Sequence, residues 1–235
     1  MTRILAVETG GDYASAAIYS DGAVSCTVFR EKNRHTESLI SLVDSVLGEM
    51  GLKAADVDAV AFGAGPGAFT GLRVACGVAQ GLAWAVGKPT VPVVNPAAAA
   101  YALFVRFPDI RRVAVVNDAR MHECYAAAYE RDADGAPLEV QAPQLIAPEG
   151  VAVFLRESGA QAVIGTALEA YAREIALDGS VQAIKTEPTT AEDVVRLAAV
   201  QYARGLTTAP QLAAPLYVRN RVALTIEQRR AGEKL

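Results

Sequence analysis

The sequence predicts an α/β fold built twice over, as two similar lobes, each a mixed sheet flanked by helices. Three observations carry that expectation. An apolar run ending on a carboxylate occurs near the start, RILAVE (residues 3–8), and recurs as RRVAVVND (residues 111–118), with Glu8 and Asp118 110 residues apart. Each run is followed by a second strand-like stretch and then by an Asp-Gly pair, Asp21-Gly22 and Asp134-Gly135, 113 residues apart. Self-similarity at a fixed spacing marks a duplicated unit. The expected division is residues 1–108, with the glycine loop, and residues 109–235.

The first lobe reads in order as follows. Residues 3–8 form a buried strand. Residues 12–19 and 23–29 alternate as strands, and Asp21-Gly22 supplies the hairpin turn between them. A helix follows over 37–50, with Thr36 as its cap, Glu37 in its first turn and Gly51 beyond its end. Leu39, Ile40, Leu42, Val43, Val46, Leu47 and Met50 make an apolar stripe at helical spacing. The strand at 57–62 runs into the glycine-rich stretch GAGPGAFTGLR, residues 63–73. A helix over 71–86 ends at Gly87 and Pro89. A strand at 90–94 then leads to Asn95-Pro96, where Asn can cap and Pro can open an alanine-rich helix.

The second lobe restarts at residue 111. After the strand ending on Asp118 come a strand at 124–129, a helix near 148–158, a strand at 161–165 and a weaker helix near 168–177. The last helix, over 191–204, has a capping box in Thr190 and Asp193. The chain continues as PLYVRNRVAL, residues 215–224.

Composition narrows the function. The chain has 235 residues, 52% hydrophobic and 20% charged, with net charge −4. That supports a sizeable core and argues against a large basic face gripping nucleic acid unaided. Arg219, Asn220, Arg221 and the Arg229–Arg230 pair read as a solvated C-terminal end. Cys26, Cys76 and Cys124 are odd in number and widely spaced, as expected of buried thiols in a reducing compartment. The N-terminus turns polar too early for a signal peptide, and no run of 18 apolar residues announces a membrane span.

The glycine loop has two readings. It either brings backbone N–H groups to a phosphate or lets the chain reverse against a neighbour. It lacks the lysine of a Walker A loop and the third glycine of G-x-G-x-x-G. Gly165-Thr166 is a poor match for a second phosphate loop. Gly65, Gly67, Thr70 and Gly71 are the residues that would hold a nucleotide. For the isolated protein the expectation is a structural turn. Glu8 and Asp118, one per lobe, could flank a cleft and hold Mg²⁺ or act as base; a strand-end acid equally often caps a turn. His35 has Leu39 four residues on, so a paired-histidine metal site on that helix is absent, and His122 reads as a loop residue. No nucleophile elbow is present.

In order, ILAVETGGDYASAAIY, HTESL (residues 35–39), GAGPGAFTGLRVACGVAQGLAWA, VNDARMHECYAAAY and PLYVRN resemble the TsaB family, over about residues 4–220. The resemblance implies a duplicated actin-like, sugar-kinase-like (ribonuclease H-like) fold. It implies a non-catalytic subunit that supports TsaD in placing a threonylcarbamoyl group on the adenosine of tRNA next to the anticodon. It further implies a TsaE-like ATPase as an additional partner, a homodimer when TsaD is absent, tRNA reached through the complex, a cytoplasmic location and no membrane. No cofactor, metal or catalytic residue is expected of the chain alone, with ATP or ADP entering only in the complex. Family loops often have Ser at Ala68 and Asp at Glu8, departures that weaken an independent nucleotide site. Two rival functions are an ATP-dependent small-molecule kinase of the same superfamily and a metallopeptidase.

The helix after the loop adds a site. Between residues 72 and 86 only Arg73 and Gln80 are strongly polar, so it must be covered on more than one side. Together with the 37–50 helix it is expected to meet TsaD, or a second copy, through Leu39, Val43, Val46, Ala75, Gly77, Val78 and Gly81. At this length it is expected to be too short to span a bilayer.

Overall fold

The computed structural model describes residues 1–30, 35–177 and 179–219. The same series of elements is built twice. The first is β1 (Arg3–Glu8), β2 (Ala14–Ser20), β3 (Ala23–Phe29), α1 (His35–Glu49), β4 (Ala59–Gly65), α2 (Phe69–Val86), β5 (Thr90–Val94) and α3 (Asn95–Arg106). The second is β6 (Arg112–Arg120), β7 (Glu123–Arg131), β8 (Pro137–Ile146), α4 (Val151–Ser158), β9 (Ala162–Ile164), α5 (Ala167–Ala170), β10 (Gln182–Ala183) and α6 (Ala191–Ala203). One sheet has the order β3-β2-β1-β4-β5 and the other β8-β7-β6-β9-β10. In both, the opening three strands are antiparallel and the later two join parallel to the first. This is the duplicated actin-like, ribonuclease H-like arrangement.

The elements stack in five layers. Leu5 and Val7 face α1 and α2, while Ile4 and Ala6, on the opposite face of β1, join a central core with α3 and α6. In the second sheet Val113 and Val115 line that same central core, and Ala114 and Val116 face α4 and α5. Strands buried on both faces must be apolar throughout, which is why β1 and β6 read as continuous runs. The last helices of the two series pack together between the sheets: α3 lies against β4 and β5 of its own sheet and β6, β7 and β8 of the other, and α6 returns to lie against β1, β2, β4 and β5.

Several elements differ from expectation. The second helix begins at Phe69 and reaches 18 residues, so by length and composition it is long and apolar enough to cross a membrane. Its inner face, Leu72, Ala75, Cys76, Ala79 and Ala83, is packed against the first sheet instead. The helix expected over 168–177 is one turn, α5. Tyr171 leaves helical geometry (φ −125°, ψ 39°) where its hydroxyl reaches Asp118. β8 is the strand that a hairpin at Asp134-Gly135 implies but whose bounds the sequence leaves open, because Pro137 and Pro143 speak against a strand; as an edge strand it tolerates them. The two Asp-Gly turns also differ. Asp21 and Gly22 both have positive φ, as a two-residue turn requires, whereas Asp134 precedes a positive-φ Gly135 in a longer loop that Asp132 closes. The Thr190–Asp193 capping box forms as expected. The expected cap Thr36 lies inside α1. The side chains of His35, Thr36 and Glu37 lie outside the described residues, as do Asn220, Arg221, Arg229 and Arg230.

Candidate functional site

The glycine loop and the end of β1 form one closed cluster. Glu8 is the last residue of β1 and is 1% exposed. One carboxylate oxygen accepts the Gly10 N–H, and the other accepts Nδ2–H of Asn95 at 2.8 Å. Asn95 Oδ1 in turn accepts the Gly65 N–H at 2.7 Å. Asn95 is therefore not the helix cap expected of it: Val94 holds that position, and the Asn95 side chain bridges the acid to the loop. Burial drives the Glu8 carboxyl up from 4.5 to about 7 against the hydrogen bonds from Asn95 and the backbone, and the Asp193 carboxylate adds to the rise.

The glycines are where this cluster leaves no room. A Cβ at Gly63 would lie 1.4 Å from a Glu8 oxygen. At Gly67 it would lie 2.5 Å from the Gly10 carbonyl, and at Gly71 1.8 Å from that of Thr9. Gly65 has φ +112°, with the Leu216 carbonyl beside it. Two hydrogen bonds seal the contact: Ala68 N–H to Gly10 O at 2.8 Å, and Thr9 Oγ1–H to Gly71 O at 2.7 Å. Of the candidate nucleotide residues, Gly65, Gly67 and Gly71 press on the protein's own backbone, and Thr70 faces solvent.

The second lobe repeats the device. Gly165, with φ +122°, follows β9, and a Cβ there would lie 2.2 Å from the Val116 carbonyl. Asn117 Oδ1 accepts the Thr166 N–H at 3.1 Å, and Thr166 Oγ1 accepts the Asp118 N–H at 3.0 Å. Asp118 receives the Arg120 backbone N–H and guanidinium at 2.7 and 2.9 Å, and the Tyr171 hydroxyl at 2.8 Å. Burial first, then Asp118, pushes the Tyr171 phenol up to about 12. Glu8 and Asp118 thus each close on their own lobe and, among the described residues, share no hydrogen-bond partner. The turn beyond Asp118 has three consecutive left-handed residues, Arg120, Met121 and His122 (φ +63°, +55°, +57°), each costing roughly 1–2 kcal/mol. Arg219 holds the turn from behind, donating to the Ala119 carbonyl at 3.1 Å and pairing with Glu123. His122 is a loop residue, with Nε2 2.8 Å from Glu149.

Among the described residues no group of three His, Cys, Asp or Glu side chains is placed to hold a metal. All three cysteines are free. Burial pushes the Cys26 and Cys124 thiols up to about 11, away from thiolate chemistry at neutral pH.

The expected partner surface needs correction. Leu39, Val43, Val46 and Ala75 are 0–2% exposed and belong to the protein's own core between α1, α2 and the sheet. The stripe is real, but the sheet already covers it. Gly77 and Gly81 are exposed, with open space where a Cβ would be, and Val78 is half-buried. Trp84, 69% exposed on the same helix, was not singled out by the sequence reading. Nor was the part before Pro215 of a strap formed by residues 206–219. The strap pairs Thr208 with Thr90 in both directions at 2.8 Å and passes under Gln80, whose Nε2 donates to the Pro210 and Ala213 carbonyls at 3.1 and 3.0 Å. The Leu216 N–H then donates to the Ala64 carbonyl at 2.7 Å. Tyr217 meets the Phe69 ring and, through its hydroxyl, Arg73 Nε.

A family model described as TsaD, tRNA N6-adenosine threonylcarbamoyltransferase, matches residues 30–225. The chain is 34% identical over 228 residues to the tRNA threonylcarbamoyladenosine biosynthesis protein TsaB of Escherichia coli (strain K12), covering 94% of this chain and 96% of that one. It is 34% identical over 118 residues to a tRNA N6-adenosine threonylcarbamoyltransferase of Chlorobaculum tepidum, covering 44% of this chain and 33% of the relative. Among solved structures it is similar to YeaZ from Pseudomonas aeruginosa, with TM-score 0.81 and 33% identity over 92% of this chain and all of that one.

Proposed function

The chain belongs to the TsaB family, and from that premise we propose that it is the supporting, non-catalytic subunit for threonylcarbamoyladenosine formation on tRNA, bound to a TsaD-type catalytic subunit. The observation that carries this reading is the outer face of α2. This helix has no acidic residue, and it presents Gly77, Gly81 and Trp84 to solvent. From residue 72 to 86 only Arg73 and Gln80 are strongly polar, and the side that carries Gly77, Gly81 and Trp84 is covered by neither the sheet nor the strap, which leaves it for a partner. The open space above the two glycines lets a second helix approach closely. In the absence of the TsaD-type subunit, a second copy of the chain takes the same face.

The polar residues support a scaffold role. Glu8, Asp118 and His122 are each engaged by neighbours in their own lobe. The glycine loop spends its close approach on the Thr9–Gly10 backbone, which favours nucleotide entering only with the assembled complex and its TsaE-type ATPase. Transfer RNA is then reached through the complex, and the cytoplasm follows as the place of action.

Gly77→Arg tests the reading. With nothing within 4 Å of a Cβ at Gly77, the variant should fold. Replacing a mid-helix glycine should even add about 0.5–1 kcal/mol. Circular dichroism and melting are expected to hold while binding of the TsaD-type subunit in size-exclusion chromatography is lost. Retained binding would remove α2 from the interface.

A further inference from the structure

Two arginine–aromatic stacks stand at one end of the first sheet, where β1 and β4 stop and β2 begins. In the larger one the Arg73 guanidinium carbon lies 3.6 Å from the centre of the Phe69 ring. Arg73 Nε–H donates to the Tyr217 hydroxyl at 3.0 Å, and the Tyr217 ring centre lies 5.5 Å from that of Phe69. In the smaller one Arg30, just past β3, lies 4.9 Å from the centre of the Tyr13 ring. We propose that Arg73, Phe69 and Tyr217 clamp an unpaired base of RNA and the phosphate beside it, so that this chain touches the transfer RNA itself. The inference takes its RNA from the role in tRNA modification proposed above and adds a direct contact to it.

Three features converge. The first is free charge. The carboxylates around the neighbouring β6–β7 turn are already taken, Asp118 and Asp12 by Arg120 at 2.9 and 3.9 Å, and Glu123 by Arg219. Among the described residues no carboxylate lies within ion-pair distance of Arg73 or Arg30. The second is orientation. Phe69 holds the guanidinium and Tyr217 holds its Nε, while Arg73 as a whole is exposed. The outer nitrogens are thereby fixed as a fork, the geometry that matches a phosphate. The third is the pairing of charge with rings. Tyr217 is 44% exposed, and Thr70 beside the stack is exposed as well. Unpaired RNA is gripped by cations along its backbone and by aromatic or guanidinium planes against its bases. An acidic peptide would use the charge and leave the rings idle. With net charge −4 the chain lacks a large basic face, so the contact is local and adds to those the complex makes elsewhere.

Photo-crosslinking tests the clamp directly. An unmodified tRNA transcript carrying 5-iodouridine should crosslink to Tyr217 or Phe69, mapped by mass spectrometry, with the lone chain and with its complex with the TsaD-type subunit. Arg73→Gln should weaken tRNA binding by the complex about tenfold and lower the slope of log K against log salt by about 0.7, the share of one single-strand phosphate. Arg73→Lys keeps the charge without the fork, so it should keep the slope and lose most of the crosslink. Tyr217→Leu should weaken binding about tenfold. If Arg73→Gln leaves affinity, slope and crosslink unchanged while the complex assembles, the clamp is overturned and the partner reading stands. If Arg73→Gln prevents assembly, Arg73 touches the catalytic subunit and the clamp is again overturned. AMP that displaces the crosslink at equal nucleotide concentration assigns the stack to a free nucleotide and overturns the RNA contact. If the wild type forms no complex, the partner reading fails, and the lone chain still decides the clamp: crosslinks confined to other residues overturn it.

Discussion

Glu8 is expected to make this protein lose stability as the pH rises toward neutrality. Its carboxyl is shut away at the end of β1, and burial lifts it from 4.5 in the unfolded chain to about 7 in the folded one. A group raised on folding binds its proton more tightly in the native state. Its contribution is complete below pH 4.5 and is lost as the pH climbs through about 7. The interval corresponds to about 3 kcal/mol, a large share of the stability of a typical domain. Urea unfolding of the wild type and Glu8→Gln at half-unit steps from pH 4.5 to 8 isolates this term. Gln cannot ionise, and every other titrating group is common to both chains. The variant has a fixed cost, because an amide offers one accepting atom where Gly10 N–H and Asn95 Nδ2–H require two. The difference between the two curves should therefore change by about 3 kcal/mol across the range, with the wild type gaining toward acid. A difference independent of pH would show that Glu8 ionises at its ordinary value and that the cluster is wet.

Three further outcomes are expected. Gly71→Ala, whose Cβ would lie 1.8 Å from the Thr9 carbonyl, should cost about 3 kcal/mol or prevent folding in urea titrations, while the open-space Gly77→Ala should be neutral or stabilising. Asp118→Asn should leave threonylcarbamoylation by the assembled complex within about tenfold, roughly 1.4 kcal/mol of barrier; a loss of several hundredfold with folding and partner binding intact would give this subunit a chemical role. Calorimetry of the lone protein with ATP or ADP should register weak or no binding, and a submicromolar Kd would contradict the structural reading of the glycine loop.

The duplication was legible because strands buried on both faces cannot hide: β1 and β6 must be apolar throughout, and the acids at their ends stand out. The glycine loop was legible as a tight strand-to-helix exit for the same reason, since only glycine fits against the Thr9–Gly10 backbone. What lay beyond the sequence was the identity of the neighbour. The stripe Leu39, Val43 and Val46 announces a buried face, but periodicity is the same whether a sheet or another protein covers it. Asn95 before Pro96 is what a cap looks like, and a bridge to Glu8 across 87 residues leaves no local trace. Before Pro215 the strap has neither period nor motif; Gln80 and Thr90 recruit it from more than 100 residues away.

The placing of α3 and α6 between the sheets ties the two repeats together. Helix α6, encoded in the second half, covers the first sheet, and α3, encoded in the first, lies against both. A protein cut between α3 and β6 would yield a first piece without the helix that covers its sheet and a second piece whose last helix has lost the sheet it packs on. Such fragments should be insoluble apart and reassemble when produced together. The two lobes thus share one central core to which both halves contribute.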